Sequence, residues 1–297
     1  MKTEQTTQTV TQTYKKRSQV SAVWHRLKKN KLAMLGLFIL CILIGLAIFA
    51  DFIADYDTVV VGLDMSQRLL TPRLEHIFGT DQFGRDVFAR IIHGGRLSLS
   101  LSIISMSVAV AIGACIGAVA GYYGGRVDDV LMRLMDILLA IPPMLMSISI
   151  VAALGQSMIN LLIALAIAYI PVFARVIRST ILSIKGQEFV EAARACGTSN
   201  ARIILRHIIP NAIGPIIVEA TLTMGAAILV ISSLSFMGLG IEPPAPEWGT
   251  MLYEGREVIR SSPYLVIFPG IAIALSVMSL NLLGDGLRDA LDPRLKN

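Results

Sequence analysis

The longest uncharged stretch of the chain is residues 137–174, ILLAIPPMLMSISIVAALGQSMINLLIALAIAYIPVFA. As one straight helix it would measure about 57 Å, nearly twice the ~30 Å hydrocarbon core of a lipid bilayer. The turn-favouring cluster 155–157, Gly-Gln-Ser, lies near its middle. The stretch therefore predicts two membrane-crossing helices joined at this cluster, the first kinked at Pro142-Pro143 because prolines interrupt helical hydrogen bonding.

The rest of the chain has the same character. Of its 297 residues 54% are hydrophobic and only 16% are charged, against about 25% charged residues in ordinary soluble domains. The apolar runs are long and continuous, which favours helices over the short alternating strands of a membrane barrel. We predict an all-α membrane protein with six transmembrane helices, at residues 32–50, 97–120, 131–154, 158–176, 213–236 and 264–284.

Charge placement predicts the orientation of these helices. Segments 1–31 and 175–212 hold 8 and 6 Lys/Arg against 1 and 2 acids, whereas segment 238–262 holds 2 against 4. By the positive-inside rule the first two segments are cytoplasmic, so both termini are cytoplasmic. Segment 51–96, predicted to be external, carries five arginines with seven acids and fits the rule less well.

Four regions follow from this topology. Residues 1–31 are a cytoplasmic basic segment, and residues 285–297 are a cytoplasmic tail. Residues 32–96 comprise the first transmembrane helix and an external loop, and residues 97–284 are the transmembrane core. The end of the external loop has helical periodicity, and we predict a surface helix there with an apolar face of Val87, Phe88, Ile91 and Ile92 and a polar face of Arg85, Asp86, Ala89, Arg90 and His93.

One polar island, residues 185–212, interrupts the transmembrane core. Helix-favouring residues fill 188–196, and Gly197 is placed to end that helix. Thr198 or Ser199 can cap a second helix, which Pro210 is expected to stop. The second helix has a predicted apolar face of Ala201, Ile204, Leu205 and Ile208, opposite Arg202 and Arg206. Such a loop is either a solvated connector or a docking element, in which small alanines allow close approach and Glu191 supplies a directional contact.

These residues match a known pattern. Glu191-Ala192-Ala193, Gly197 and Ile209-Pro210 resemble the EAA loop of ABC importer permeases, although His207 and Ile209 stand where the general pattern has Ile and Leu. Three further segments, 79–86 (GTDQFGRD), 94–99 (GGRLSL) and 239–249 (LGIEPPAPEWG), resemble the second, C-type permease of the dipeptide/oligopeptide (peptide/opine/nickel) family, which has an extra N-terminal domain. Ala89 stands where that family often has Ser. The resemblance covers roughly residues 20–295.

The resemblance implies a type I ABC importer permease fold and a role as half of a translocation path for peptides. The other half would be a homologous permease. Two ABC ATPases would bind ATP-Mg and drive transport, and an external binding protein would deliver the substrate across a bacterial or archaeal plasma membrane. The ATPase-coupling loop would comprise Glu188, Glu191, Ala192, Ala193, Gly197, Arg202, Ile209 and Pro210.

The residues themselves favour a non-catalytic subunit. No glycine is followed by lysine, so the chain has no phosphate-binding loop of the G-x-x-x-x-G-K-[ST] type. No nucleophile–base pair stands out, and the four histidines and three cysteines lack metal-ligand spacing. We therefore expect no cofactor or metal bound by this chain. The net charge of +5 comes from the two basic segments and does not indicate a nucleic-acid partner.

A few intramembrane residues are candidates for the path or for subunit contacts. They are Asp136, which Arg133 could pair with on the same helix face, Glu219, and the Pro142-Pro143 kink. Substrates other than peptides, such as nickel, glutathione or opines, remain open at this point. A gradient-driven secondary transporter and a channel or scaffold are the rival classes. The scarcity of carboxylates near the membrane midplane disfavours a proton-coupled carrier.

Overall fold

The structure is a computed structural model that describes residues 19–291. The described chain is predominantly helical and contains no strand. Its α-helices are α1 (Gln19–Leu27), α2 (Lys31–Ile48), α3 (Ala50–Ile53), α4 (Val87–Tyr123), α5 (Gly125–Leu139), α6 (Pro143–Leu154), α7 (Met158–Ile184), α8 (Glu188–Ala195), α9 (Asn200–Ile203), α10 (Ile209–Phe236), α11 (Trp248–Gly255) and α12 (Tyr264–Leu291). The predictions for residues 1–18 and 292–297 lie outside the described residues.

Five helices are long and apolar enough to cross a membrane: α2, α4, α7, the continuous pair α9–α10, and α12. The third predicted crossing is a bent pair, since α5 and α6 meet at 83°. Pro142 is extended (φ −52°, ψ 136°) and Pro143 opens α6, because neither residue can donate the hydrogen bond that would continue α5. The predicted kink in 131–154 is therefore a full break, and the chain has six crossings when the pair counts as one.

Contacts between helix ends show that the crossings alternate in direction. The end of α2 lies beside the start of α4, where Arg96 Nε donates to the Ala47 carbonyl over 3.1 Å. The end of α4 lies beside the end of α7, where Lys185 Nζ donates to the Gly121 carbonyl over 2.9 Å. We call the end of the bundle that carries α8 the loop end, and the end that carries α11 the far end.

Both termini of the described chain lie at the loop end. Helix α1 packs on the last turns of α12, and Arg26 NH1 donates to the Ala290 carbonyl over 3.3 Å. Asn30 caps α2 through the amides of Leu32 and Ala33. An even number of crossings places the two termini on one side, as the sequence predicts.

The most extensive helix pair is α4 against α7, and glycines permit its close approach. A Cβ at Gly113 would lie 2.7 Å from Phe173 Cβ, and one at Gly121 would lie 3.0 Å from the Arg178 carbonyl oxygen. Gly117 meets α7 in the same way between these two positions. The small residues of this helix therefore allow close packing.

The predicted surface helix before the second crossing does not exist as a separate element. Residues 87–96 are the first turns of the continuous helix α4. Val87, Ala89, Arg90 and His93 are all buried, so both predicted faces are covered. The prediction of an exposed polar face was wrong because the carboxylates of Asp81 and Glu254 neutralise the buried Arg90.

Pro210 does not stop the second helix of the polar loop. Residues 204–208 form a π-helical turn, in which the Ile209 amide bonds to the Ile204 carbonyl five residues earlier. The wider turn leads into α10, where Pro210 occupies the first turn and needs no donor. Chain 200–236 is thus one helix from the loop end to the far end.

Candidate functional site

The polar loop contains a short helix with a complete C-terminal cap. Helix α8 covers Glu188–Ala195, and Gly197 follows it with φ +76°. The Gly197 amide bonds to the Arg194 carbonyl over 3.0 Å, and the Thr198 amide bonds to the Ala193 carbonyl over 3.1 Å. This bonding pattern is the Schellman motif, which favours glycine because the left-handed conformation disfavours a Cβ atom. The predicted role of Gly197 as a helix end is confirmed.

Apolar anchors fix the loop to the bundle. Val190 of α8 is fully buried, as are Ile203 and Ile208 from the chain after Gly197. They pack into the main core together with Ile181 and Ile184 at the end of α7. Burying side chains of this size contributes roughly 1.5–3 kcal/mol each. The loop is therefore an ordered part of the fold.

Polar contacts tie the same loop to the end of α4. The Tyr122 hydroxyl donates to Asn200 Oδ1 over 2.7 Å, and Lys185 bonds to the Gly121 carbonyl. Next to them, Arg178 forms a two-point ion pair with Asp128 at the start of α5. These contacts connect the two ends of the polar loop to α4, and the Arg178–Asp128 pair connects α7 to α5.

The outer side of α8 is exposed. Glu188, Glu191, Ala192 and Gly197 are exposed, and Ala193 is half-buried. No described residue would lie within 4 Å of a Cβ added at Gly197. Small residues and two carboxylates on a rigidly held helix suit contact with another protein, because little side-chain entropy is lost on docking.

The structure separates the other predicted loop residues from this face. Arg202 is exposed on α9, while Ile209 is half-buried and Pro210 exposed in the first turn of α10. The predicted apolar face of the second helix was partly wrong. Its buried residues are Ile203, Ile204 and Ile208, whereas Leu205 and Ala201 are exposed, because the extra residue of the π-helical turn changes the angular spacing.

The intramembrane candidates lie on different elements of the bundle. Asp136 pairs with Arg175 of α7, whose NH2 atom lies 2.7 Å from Asp136 Oδ1, so the suggested pairing with Arg133 was wrong. Glu219 is half-buried in α10 and forms no ion pair with the described residues. Pro142 and Pro143 form the break between α5 and α6.

Sequence reasoning missed a buried charge cluster at the far end, made of Asp81, Arg85, Arg90 and Glu254. Arg85 Nε lies 2.6 Å from Asp81 Oδ2, and its NH2 atom lies 3.0 Å from Glu254 Oε1. Arg90 NH1 contacts both carboxylates, with 2.8 Å to Glu254 Oε2. The spacing of Asp81 and Arg85 was a visible local signal, but Glu254 lies far away in sequence. The cluster clamps the segment before α4 onto α11.

A further buried carboxylate, outside this cluster, fixes α11 to α4. Glu247 is fully buried and caps α11 by accepting the Thr250 amide over 2.9 Å. Its other oxygen accepts the Ser98 hydroxyl over 2.9 Å. Trp248 fills the space beside Gly94 and donates from Nε1 to the Ile91 carbonyl over 2.9 Å. Residues 247–249 therefore hold α11 against α4 by hydrogen bonds and close packing at the far end.

The fold and these sites define a polytopic helical membrane protein with an anchored helix, α8, whose outer side is exposed at one end. Residues 113–297 match the model of the family described as binding-protein-dependent transport system inner membrane component. Residues 18–72 match the N-terminal TM domain of oligopeptide transport permease C. The chain belongs to the first of these families, and it is a permease subunit of an ABC importer.

Curated relatives agree with this membership. The dipeptide transport system permease protein DppC of Alkalihalophilus pseudofirmus is 48% identical over 272 residues, which cover 92% of this chain and 89% of that protein. The glutathione transport system permease protein GsiD of Escherichia coli is 44% identical over 273 residues, covering 92% and 90%. A crystal structure of an amino acid ABC transporter is similar with a TM-score of 0.49 at 20% identity, over 70% of this chain and 95% of that one.

Proposed function

We propose that this chain forms half of the path of an ATP-driven importer for short peptides in a bacterial or archaeal plasma membrane. A homologous permease forms the other half. Two ABC ATPases dock at the loop end on the cytoplasmic side and bind ATP-Mg. A binding protein delivers the peptide to the far end from outside.

The observation that carries this proposal is the rigid and exposed helix α8. Val190 holds its inner side in the core, and Glu191 and Ala192 lie on its open side. A partner bound there can move the ends of α4 and α7 through Lys185 and Asn200. The movement of an ATPase bound to α8 is thereby transmitted to the crossing helices, and this chain need not bind ATP itself.

Charge supports a cytoplasmic loop end. The loop between α7 and α10 carries an excess of lysine and arginine, whereas residues 238–262 between α10 and α12 carry more acids than bases. Positively charged loops are retained on the cytoplasmic side during insertion. The exposed arginines Arg194, Arg202 and Arg206 all lie at the loop end.

The relatives support a peptide substrate. DppC is named for dipeptide transport and GsiD for glutathione transport, and both named substrates are short chains with amide bonds and charged ends. A short peptide fits both names better than nickel or an opine does.

The replacement Glu191→Ala tests this proposal. Glu191 is exposed, so its removal should change stability by less than about 0.5 kcal/mol. We expect ATPase subunits to co-purify poorly with this variant and dipeptide uptake to fall. The matched change Glu242→Ala removes an exposed carboxylate at the far end and should leave ATPase binding intact. Equal ATPase recovery with both variants would contradict α8 as the docking helix.

A further inference from the structure

The bend between α5 and α6 exposes a polar surface in the loop half of the bundle. On α5, Asp129, Arg133 and Asp136 are exposed and recur at helical spacing. On α7, Arg175, Ser179 and Ser183 are exposed and recur every four residues. We call these six residues the polar ribbon.

Helix α6 explains why the ribbon is confined to one half of α7. In the far half, the same face of α7 carries Leu161, Ala164, Leu165 and Ala168, which are buried in the core that also holds Met146 and Val151 of α6. Because α5 leaves α6 at 83°, it does not continue this cover. The loop half of the face is left open between α5 and α7.

An ion pair lies within the ribbon. Arg175 NH2 donates to Asp136 Oδ1 over 2.7 Å, and the two side chains are 57% and 50% exposed. Among the described residues this is the single hydrogen bond of either side chain. Four guanidinium N–H groups and one carboxylate oxygen therefore remain available to other molecules.

The depth of this pair favours water over lipid as its neighbour. Arg175 follows Met158 by 17 residues, which is about 26 Å along α7 and less than the ~30 Å of the hydrocarbon core. Ionisable residues at such depth face the bundle interior or a water-filled cavity, because lipid cannot solvate them. The apolar side of α5, with Val130, Leu134 and Ile137 exposed, is the side that suits lipid or an apolar partner.

We propose that Asp136 and Arg175 line the water-filled path and engage the charged ends of a zwitterionic peptide. The Arg175 guanidinium donates to the peptide carboxylate, a planar group that it fits with two parallel hydrogen bonds. The Asp136 carboxylate accepts from the peptide ammonium group. The two side chains pair again when the peptide leaves, so the contact is reversible. This inference rests on the proposed transport of peptides.

Exposure to water is tested first, with the assembled transporter in inside-out vesicles and a negatively charged, membrane-impermeant methanethiosulfonate. The three native cysteines are replaced by serine, and Ser179→Cys is compared with Ile137→Cys. We expect Ser179→Cys to react about tenfold faster or more, since a thiol facing lipid or protein is shielded from a charged reagent. Equal rates, or no reaction at Ser179→Cys because the second permease covers it, would overturn the proposal.

The ligand is tested with the same Ser179→Cys reporter, one turn from Arg175. Dialanine should slow the thiol reaction several-fold, whereas N-acetyl-dialanine amide, which lacks both charges, should not. Adding Arg175→Gln should abolish this protection, and adding Arg206→Gln, an exposed arginine of the polar loop, should preserve it. Equal protection by both peptides, protection by neither, or protection that survives Arg175→Gln would contradict the contact.

A separate measurement distinguishes failure of this contact from failure of the proposed function. ATP-dependent dialanine uptake is followed in intact cells with the unmodified transporter. Absence of uptake contradicts peptide transport itself. Uptake without protection of Ser179→Cys contradicts only the role of Asp136 and Arg175.

Discussion

At the residue scale, Gly197 and Gly155 form a natural pair for comparison. Both have a positive φ, +76° for Gly197 and +88° for Gly155, and neither would place a Cβ within 4 Å of another described residue. Gly197 adopts the left-handed turn of the Schellman motif, whereas Gly155 has ψ 165°. Gly197 ends the exposed helix α8, for which we propose a docking role, whereas Gly155 joins α6 to α7 at the far end. Aspartate tolerates left-handed backbones better than most residues.

We therefore expect Gly197→Asp to leave the permease folded but to reduce ATPase binding and uptake about tenfold, by adding charge and bulk to a docking surface. Gly155→Asp introduces the same residue at an exposed glycine of the far end that also has a positive φ, and it should leave ATPase binding unchanged. The amount of each variant in the membrane and the recovered ATPase are both measured. Normal uptake by Gly197→Asp would contradict the role of this surface.

The far-end charge cluster predicts a different kind of defect. The Glu254 side chain is 10% exposed and contacts both Arg85 and Arg90. Glu254→Gln would leave two buried guanidinium groups with one carboxylate, at a cost of about 3 kcal/mol. We expect a lower Tm for the purified permease pair. Glu257→Gln, an exposed neighbour on the same surface, should have little effect, and equal Tm values for the two variants would refute a stabilising role of the cluster.

The role of some single residues could be predicted from the sequence, whereas the contacts of others could not. Gly197 was predictable because the requirement for glycine after a helix is local. The partner of Asp136 was not, because Arg175 belongs to another helix and is brought close only by the bend of the α5–α6 pair. The burial of Arg90 was equally hidden, since Glu254 neutralises it from a distant part of the chain.

At the scale of elements, the break at Pro142-Pro143 turns α5 away from α6 and so exposes the polar ribbon that we propose lines the path. Pro142→Ala together with Pro143→Ala restores two backbone donors and lets α5 continue into α6. We expect the angle between these helices to decrease and uptake to fall, measured by spin-label distances between α5 and α7 and by peptide transport.

The control is Pro215→Ala, because Pro215 lies in the continuous helix α10 and is exposed. That variant should retain the distances and the uptake of the unmodified chain. Unchanged distances and full uptake in the double variant would show that the prolines do not maintain the bend.

The periodicity of apolar residues predicted where most helices lie, but not where they continue. Five of the predicted crossings correspond to long helices, because long apolar runs report membrane burial directly. The start of α4 and the passage from α9 to α10 were read as separate or interrupted helices. A buried charge cluster in one case and a π-helical turn in the other override the local signals of polar residues and proline.

At the scale of the whole molecule, the two ends of the helix bundle differ in charge and in the contacts that stabilise them. The loop end is basic and carries the exposed helix α8 and both described termini, while buried carboxylates hold the helices of the far end together. This difference between the ends fits our proposal that substrate enters at the far end and that the ATPases bind at the loop end. The sequence predicted the polarity from charge counts, whereas the contacts that fasten each end depend on tertiary packing.

Cross-linking of Cys196 tests the central claim most directly. Cys196 is the C-cap residue of α8 and its thiol is exposed. In the assembled transporter, a chain that retains only this cysteine should form a cross-link to an ATPase subunit through a thiol-directed photoreactive reagent. A chain that retains only Cys41, within α2, should not. Cross-linking of Cys196 to the external binding protein, or of both cysteines to the ATPase equally, would contradict α8 as the cytoplasmic docking helix.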